Sequence, residues 1–164
     1  MTQNKLDEAL TEYRSLINVE RPTIIPASAT YESAEIHRQK AIALKQNDEG
    51  PAAVAELEEA QKLYYRVGLL FAFPQLSPVP ELAYINRAET LDDLGRKDEG
   101  DKALAELTEK FPDSSYASYA KAMIALHQGK AGDADFLLKK LREQQLDPRL
   151  SEKVTRRLKA LSPP

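Results

Sequence analysis

The amino-acid sequence predicts an all-α protein in which helical hairpins stack one after another in a single domain over residues 1–164. Apolar residues recur at spacings of three and four along most of the chain, which is the pattern of amphipathic helices. No stretch shows sustained alternation of apolar and polar residues, so no strand is predicted. Residues 48–59 and 98–109 are identical at eight of twelve positions, and such self-similarity is typical of repeat proteins.

The composition is that of a folded chain without thiol chemistry. Hydrophobic side chains make up 42% of the 164 residues and charged ones 30%, with a net charge of −3. The absence of cysteine excludes disulfides, thiolate metal sites and a cysteine nucleophile. The two histidines, His37 and His127, are far apart in the sequence, so a metal site with histidine ligands is not expected either. We therefore predict no metal and no cofactor.

The first part of the chain predicts an N-terminal helix and then a helical hairpin. Residues 4–19 carry their apolar side chains on one face and predict the N-terminal helix. The prolines within 21–30 predict a connector, so the next helix is expected to start near residue 30, with Ser28 or Thr30 as its N-cap. That helix and the following one form a first repeat over 31–64.

Local stop and start signals divide the second part of the chain. Gly95 and Gly129 are expected to end helices, because glycine favours the left-handed conformation that follows a helix. They fall inside a second repeat over 81–114 and a third over 115–148. A capping helix is predicted over 148–161, opened by an aspartate–proline pair.

An apolar insertion over residues 63–79 separates the first two repeats. The simplest interpretation is an elongated second helix followed by a proline-rich loop. We expect its side chains to pack against the N-terminal helix, and the alternative is an exposed patch for a partner or a second copy of the chain. The candidate interface residues are Tyr64, Tyr65, Leu69, Leu70, Phe71 and Phe73.

The second repeat resembles a tetratricopeptide repeat. Its matching positions follow the family's spacing of large, small and helix-ending residues: Tyr84, Ala88, Leu91, Gly95, Gly100, Leu104 and Pro112. It departs from the family at Arg87, where leucine is usual, and at Leu107, where alanine is usual. Residues 31–64 and 115–148 are similar to further repeats. The resemblance implies a stack of hairpins with Tyr84 and Leu104 buried between helices.

The same resemblance implies a concave groove lined by the first helix of each repeat. In this register Glu35 and Gln39 face the groove in the first repeat, and the other groove positions are Leu82, Ile85, Glu89, Asp92, Tyr116, Tyr119, Met123 and His127. Tyr116, Tyr119 and Met123 form an aromatic stripe on the third repeat, and we expect this stripe to stay partly accessible to a ligand. An acidic, aromatic groove should prefer an apolar and basic peptide or helix.

The resulting hypothesis is a non-catalytic adaptor that binds a protein partner. No constellation of nucleophile, base and orienting group is present in the sequence, so an enzyme is not expected. Two alternatives remain open: a chaperone resembling those of type III secretion, and a periplasmic assembly factor, because residues 111–117 look like repeat junctions of envelope-associated family members.

Charge and hydropathy decide the expected partners and location. Residues 139–159 hold eight basic and three acidic side chains, but they lack aromatic residues for stacking, so a solvated helical face is preferred over nucleic-acid binding. No segment is apolar enough to predict a membrane span. The opening residues do not resemble a secretory signal, which predicts a cytoplasmic protein, or a periplasmic one if a leader has been removed.

Overall fold

The computed structural model describes residues 3–17 and 23–161, and within those ranges the protein is all-α, without any strand. The predicted fold class is therefore confirmed. The helices are α1 (Gln3–Ile17), α2 (Ile24–Gln46), α3 (Gly50–Leu70), α4 (Val79–Asp93), α5 (Lys97–Lys110), α6 (Ser115–His127), α7 (Ala131–Arg142) and α8 (Pro148–Leu161), with a short 3₁₀ turn at Pro74–Leu76. No helix in these ranges combines the length and apolarity that crossing a bilayer requires.

The chain divides into two compact units, Met1–Gly100 and Asp101–Pro164, where the sequence predicts one domain. In the first unit each helix packs on the next one in the chain from α1 to α4, and α2 also contacts α4. In the second unit α7 packs between α6 and α8. Consecutive packing of this kind is the arrangement of helical repeats.

Apolar layers hold the first unit together. Leu6 and Leu10 of α1 pack on Ile36 of α2. Farther along α2, small and branched residues form a second layer with α3, consisting of Ala41, Ala53 and Leu57 with Leu44 and Leu94 at its edge. The alanines allow the helix axes to approach closely, because they bring little side-chain volume between them.

The predicted capping helix, α8, contributes buried residues to the core of the second unit. Leu150, Val154 and Leu158 of α8 are buried, as are Leu138 and Leu141 of α7. The apolar face of α8 therefore lies in the core, where this helix packs on α7. Tyr84 and Leu104 are also buried, as predicted.

Side-chain caps mark the starts of α6 and α8, and a left-handed glycine follows the end of α6. The Ser114 side chain accepts a hydrogen bond of 3.1 Å from the backbone N–H of Tyr116, which caps α6. Asp147 accepts from the N–H groups of Arg149 and Leu150 at the start of α8. Gly129 has a φ of +76°, in the left-handed region, directly after α6. These contacts satisfy backbone groups that a helix leaves unpaired at its ends.

The predicted connector over 21–30 is wrong from Ile24 onward, where α2 already begins. Pro26 lies in the first turn, where the backbone N–H of an ordinary residue would have no partner in the helix, so it does not interrupt α2. Thr30 is not an N-cap: its hydroxyl donates to the carbonyl of Pro26 at 2.7 Å, one turn back. The end of the N-terminal helix predicted for 18–19 lies outside the described residues.

The insertion at 63–79 has the predicted form of an elongated helix and a loop. Its first part extends α3 to Leu70, and α4 begins at Val79 after the 3₁₀ turn. The N-terminal helix packs on α2. The buried side of the insertion instead packs on α2 and α4: the Tyr64 ring lies 5.7 Å from that of Tyr31, and the Tyr84 hydroxyl donates to the carbonyl of Gly68 at 3.0 Å.

Candidate functional site

The predicted groove residues of α4 lie mostly in the interior of the first unit. Leu82 and Ile85 are each 1% exposed. Eleven of the fifteen residues of α4 are buried, so this helix is enclosed on nearly every side. These two side chains therefore belong to the core and offer no surface to a ligand.

The aromatic stripe predicted on α6 is buried as well. Tyr116, Tyr119 and Met123 are core residues of the second unit, not the accessible stripe that the sequence suggested. Their spacing of three and four puts them on one apolar face, and burying such a face is more favourable than leaving it in water. The C-terminal helix contributes to the cover, because Arg157 donates a hydrogen bond of 3.4 Å to the Tyr119 hydroxyl.

The polar members of the predicted groove engage in internal contacts. Glu89 is buried and accepts a 3.5 Å hydrogen bond from Arg38. His127 is half-buried, and its Nδ1 lies 2.5 Å from Oδ1 of Asp101. Asp92 is half-buried and packs beside Gly100. Gln39 is exposed.

Glu35 belongs to a buried polar cluster that joins α2, α3 and α4. Its Oε1 accepts hydrogen bonds from the hydroxyl of Tyr64 and, at 2.5 Å, from Nδ2 of Asn86. The same Nδ2 donates to the Tyr31 hydroxyl at 2.8 Å. One carboxylate thus ties together three helices, which fixes their relative rotation.

Burial and charge set the protonation states in this cluster. Burial, followed by the nearby Glu35 carboxylate, raises the pKa of Tyr64 well above its ordinary value of 10, so this hydroxyl stays protonated and donates. Burial opposes the charge of Arg38, but the oxygens of Tyr64, Glu89 and Glu35 outweigh it and raise the pKa of the guanidinium. The cluster is therefore a fixed structural element between helices.

A second polar network links α1, α2 and α3. Lys40 of α2 lies 3.0 Å from Asp7 of α1 and 3.0 Å from Glu56 of α3. His37 Nδ1 lies 2.5 Å from the other oxygen of Glu56. Burial acts to raise the pKa of Glu56, yet hydrogen bonds from His37 and Lys40 outweigh it and hold the pKa below 4.5. Nowhere in the described ranges do three His, Cys, Asp or Glu side chains converge as a metal ion would require.

The apolar insertion leaves several large apolar side chains exposed. Two of its six candidate residues, Tyr64 and Phe71, are buried. The other four remain between 44% and 58% exposed: Tyr65, Leu69, Leu70 and Phe73. Tyr65 and Leu69 are one helical turn apart on the outer face of α3 and so lie side by side.

Two arginines flank these apolar side chains. Arg66 is exposed on the same face of α3, and the guanidinium carbon of Arg87, from α4, lies 4.5 Å from the centroid of the Tyr65 ring. This distance is that of a cation–π interaction. We call Tyr65, Arg66, Leu69, Leu70, Phe73 and Arg87 the α3 surface.

A close approach of α3 to α4 positions the α3 surface. Gly68 lies against the Tyr84 ring, and a Cβ atom at this position would come within 2.8 Å of the ring carbon Cζ. Glycine is therefore required for the hydrogen bond between Tyr84 and the Gly68 carbonyl. The resulting contact brings Arg87 on α4 over Tyr65 on α3.

The sequence carries partial signals for this site. Tyr64, Val67 and Phe71 follow the spacing of one buried helix face, which leaves Tyr65 and Leu69 on the other side. Arg87 stands out in the sequence only as a departure from the repeat pattern. In the structure Arg87 is half-buried, on a helix whose other residues are mostly buried.

No family model, no curated protein and no solved structure matches this chain.

Proposed function

We propose that the chain is a non-catalytic protein-interaction scaffold and that a partner docks on the α3 surface. The observation that carries this proposal is the exposure of four large apolar side chains, three at the end of α3 and one in the loop that follows it. Clustered apolar residues of this kind are costly to leave in water and are typical of docking sites. Aromatic side chains and arginine are enriched in such interfaces.

Rigid packing beneath the α3 surface supports the same function. The Tyr84–Gly68 hydrogen bond and the Glu35 cluster fix α3 against its neighbours. A surface held in one conformation loses little entropy on binding, so more of the contact energy appears as affinity. The core location of Tyr119 and Met123 removes the reason for expecting a basic, apolar ligand at the stripe on α6.

Affinity purification with matched variants tests this function. The double variant Leu69→Ser/Leu70→Ser removes two exposed apolar side chains and should lose the bound partner. Phe136→Ser is the control, because Phe136 is an exposed aromatic residue of α7 outside the α3 surface. It should retain the partner as fully as the unaltered chain does.

Both variants should keep their melting temperatures, since exposed side chains contribute little to the folded core. A partner that binds the double variant and the unaltered chain with equal affinity, measured by calorimetry with the purified proteins, would contradict the proposal.

A further inference from the structure

The α3 surface contains two positive charges that no acidic residue in the described part of the chain neutralises. Neither Arg66 nor Arg87 forms an ion pair within the described ranges. By contrast, Lys62, one turn before Arg66 on α3, is paired with Glu59 at 2.7 Å. Elsewhere in the first unit Arg96 is paired with both Glu58 and Glu99. The two arginines at the apolar patch are therefore free to pair with carboxylates of a partner.

Arg87 is also held in place before any partner arrives. Its guanidinium stacks on Tyr65, and its Nε is buried without a hydrogen-bond acceptor. A fixed, half-buried guanidinium offers paired N–H groups that match a carboxylate. The apolar side chains beside it would shield such an ion pair from water, which strengthens it.

We infer that the α3 surface recognises an amphipathic protein segment carrying acidic residues beside its apolar ones. Apolar side chains of the partner pack on Leu69, Leu70 and Phe73, and its carboxylates pair with Arg66 and Arg87. This inference rests on the proposed function and adds the chemistry of the partner, which is acidic where the sequence had suggested a basic one.

The charges of the α3 surface favour an acidic protein segment over an anionic membrane or a second copy of the chain. Segments that bind anionic membranes usually concentrate about four to eight basic residues, whereas two unpaired arginines flank this patch. In a two-fold pairing of identical α3 surfaces, the arginines of both copies would enter one interface that brings no carboxylate from the patch itself. An acidic segment supplies the missing charge directly.

Peptide selection tests the chemistry of recognition while the natural partner is still unidentified. Random peptides displayed on phage are selected on the full chain, and those that also bind Leu69→Ser/Leu70→Ser are discarded. We expect the surviving peptides to combine apolar residues with a net negative charge. Arg87→Gln should weaken their binding about tenfold, the effect of one charge-assisted hydrogen bond. Arg142→Gln removes an exposed, unpaired arginine of α7 and should leave affinity unchanged.

The possible results separate the inference from the function it rests on. Surviving peptides that are not acidic, or that bind Arg87→Gln as well as the unaltered chain, would overturn the inference and leave the docking function intact. No surviving peptides would overturn both. Sedimentation with phosphatidylserine vesicles, or self-association, that disappears in the double variant would assign the surface to a membrane or to a second copy and overturn the inference.

Discussion

At the scale of single residues, Gly68 and Arg87 determine how α3 and α4 meet at the α3 surface. Gly68 admits the Tyr84 ring, and that contact brings Arg87 over Tyr65. Spacing alone could predict that Tyr84 is buried, because it falls on an apolar face. It could not predict that Gly68 is the residue against which Tyr84 packs, because helix-to-helix contacts depend on how the two helices are rotated about their axes.

Gly68→Ala should destabilise the protein by about 1–3 kcal/mol, because the added methyl group overlaps the buried Tyr84 ring. This loss is expected although alanine is intrinsically favoured over glycine inside a helix by about 1 kcal/mol. Urea unfolding followed by circular dichroism measures the change.

Gly132→Ala provides the matched control, because nothing lies within 4 Å of the position where its Cβ would be added in α7. It should be as stable as the unaltered chain or slightly more so. Equal stability of Gly68→Ala and the unaltered protein would mean that α3 and α4 are farther apart than described.

At the scale of helices, chemical signals next to the boundary were the most informative. Asp147 opens α8 as predicted, and Ser114, which was not predicted as an N-cap, opens α6; both side chains accept hydrogen bonds from backbone N–H groups of the first turn. The start of α2 was missed because Pro26 suggested a break, although proline is tolerated in a first helical turn. Whether Pro26 breaks the helix or lies in its first turn depends on the packing of α2 on α1, which the sequence does not display.

The network around Glu56 predicts a pH dependence for the contact of α2 with α3. The pKa of Glu56 is lowered in the folded protein, so its contribution to stability is complete above about pH 4.5 and is lost as the pH falls through the lower folded value. At neutral pH, Glu56→Gln should reduce the free energy of unfolding by about 1–2 kcal/mol.

The stability difference between the unaltered chain and Glu56→Gln should shrink as the pH is lowered from about 5 to 3. Urea unfolding at several pH values measures it. Among the described residues, the His37 ring and the Lys40 ammonium face Glu56, and Asp7 binds the other side of Lys40. A difference that stays constant across this range would show that Glu56 does not titrate as a paired carboxylate.

At the scale of the whole molecule, the fold class was predictable from the sequence, whereas the exposed residues of the proposed docking surface were only partly so. The three- and four-residue spacing and the repeated segment are properties of the sequence itself, and they were sufficient for an all-α stack. The spacing of residues along a helix predicts which of them share a face. Whether that face is buried depends on the helices that pack against it. Tyr119, which was expected to stay partly accessible, is covered, whereas Leu69, which was expected to pack against the N-terminal helix, is exposed.

Site-specific photo-crosslinking would detect a protein partner that contacts the end of α3. A photoreactive amino acid is placed at Leu69, at Val54 on the same helix, or at Phe136 on α7, all of which are exposed apolar positions. Irradiation in cells should yield an adduct with a second polypeptide at Leu69 and none at the other two positions. Adducts of equal yield at all three positions, or none at Leu69, would contradict the proposal that a partner docks on the α3 surface.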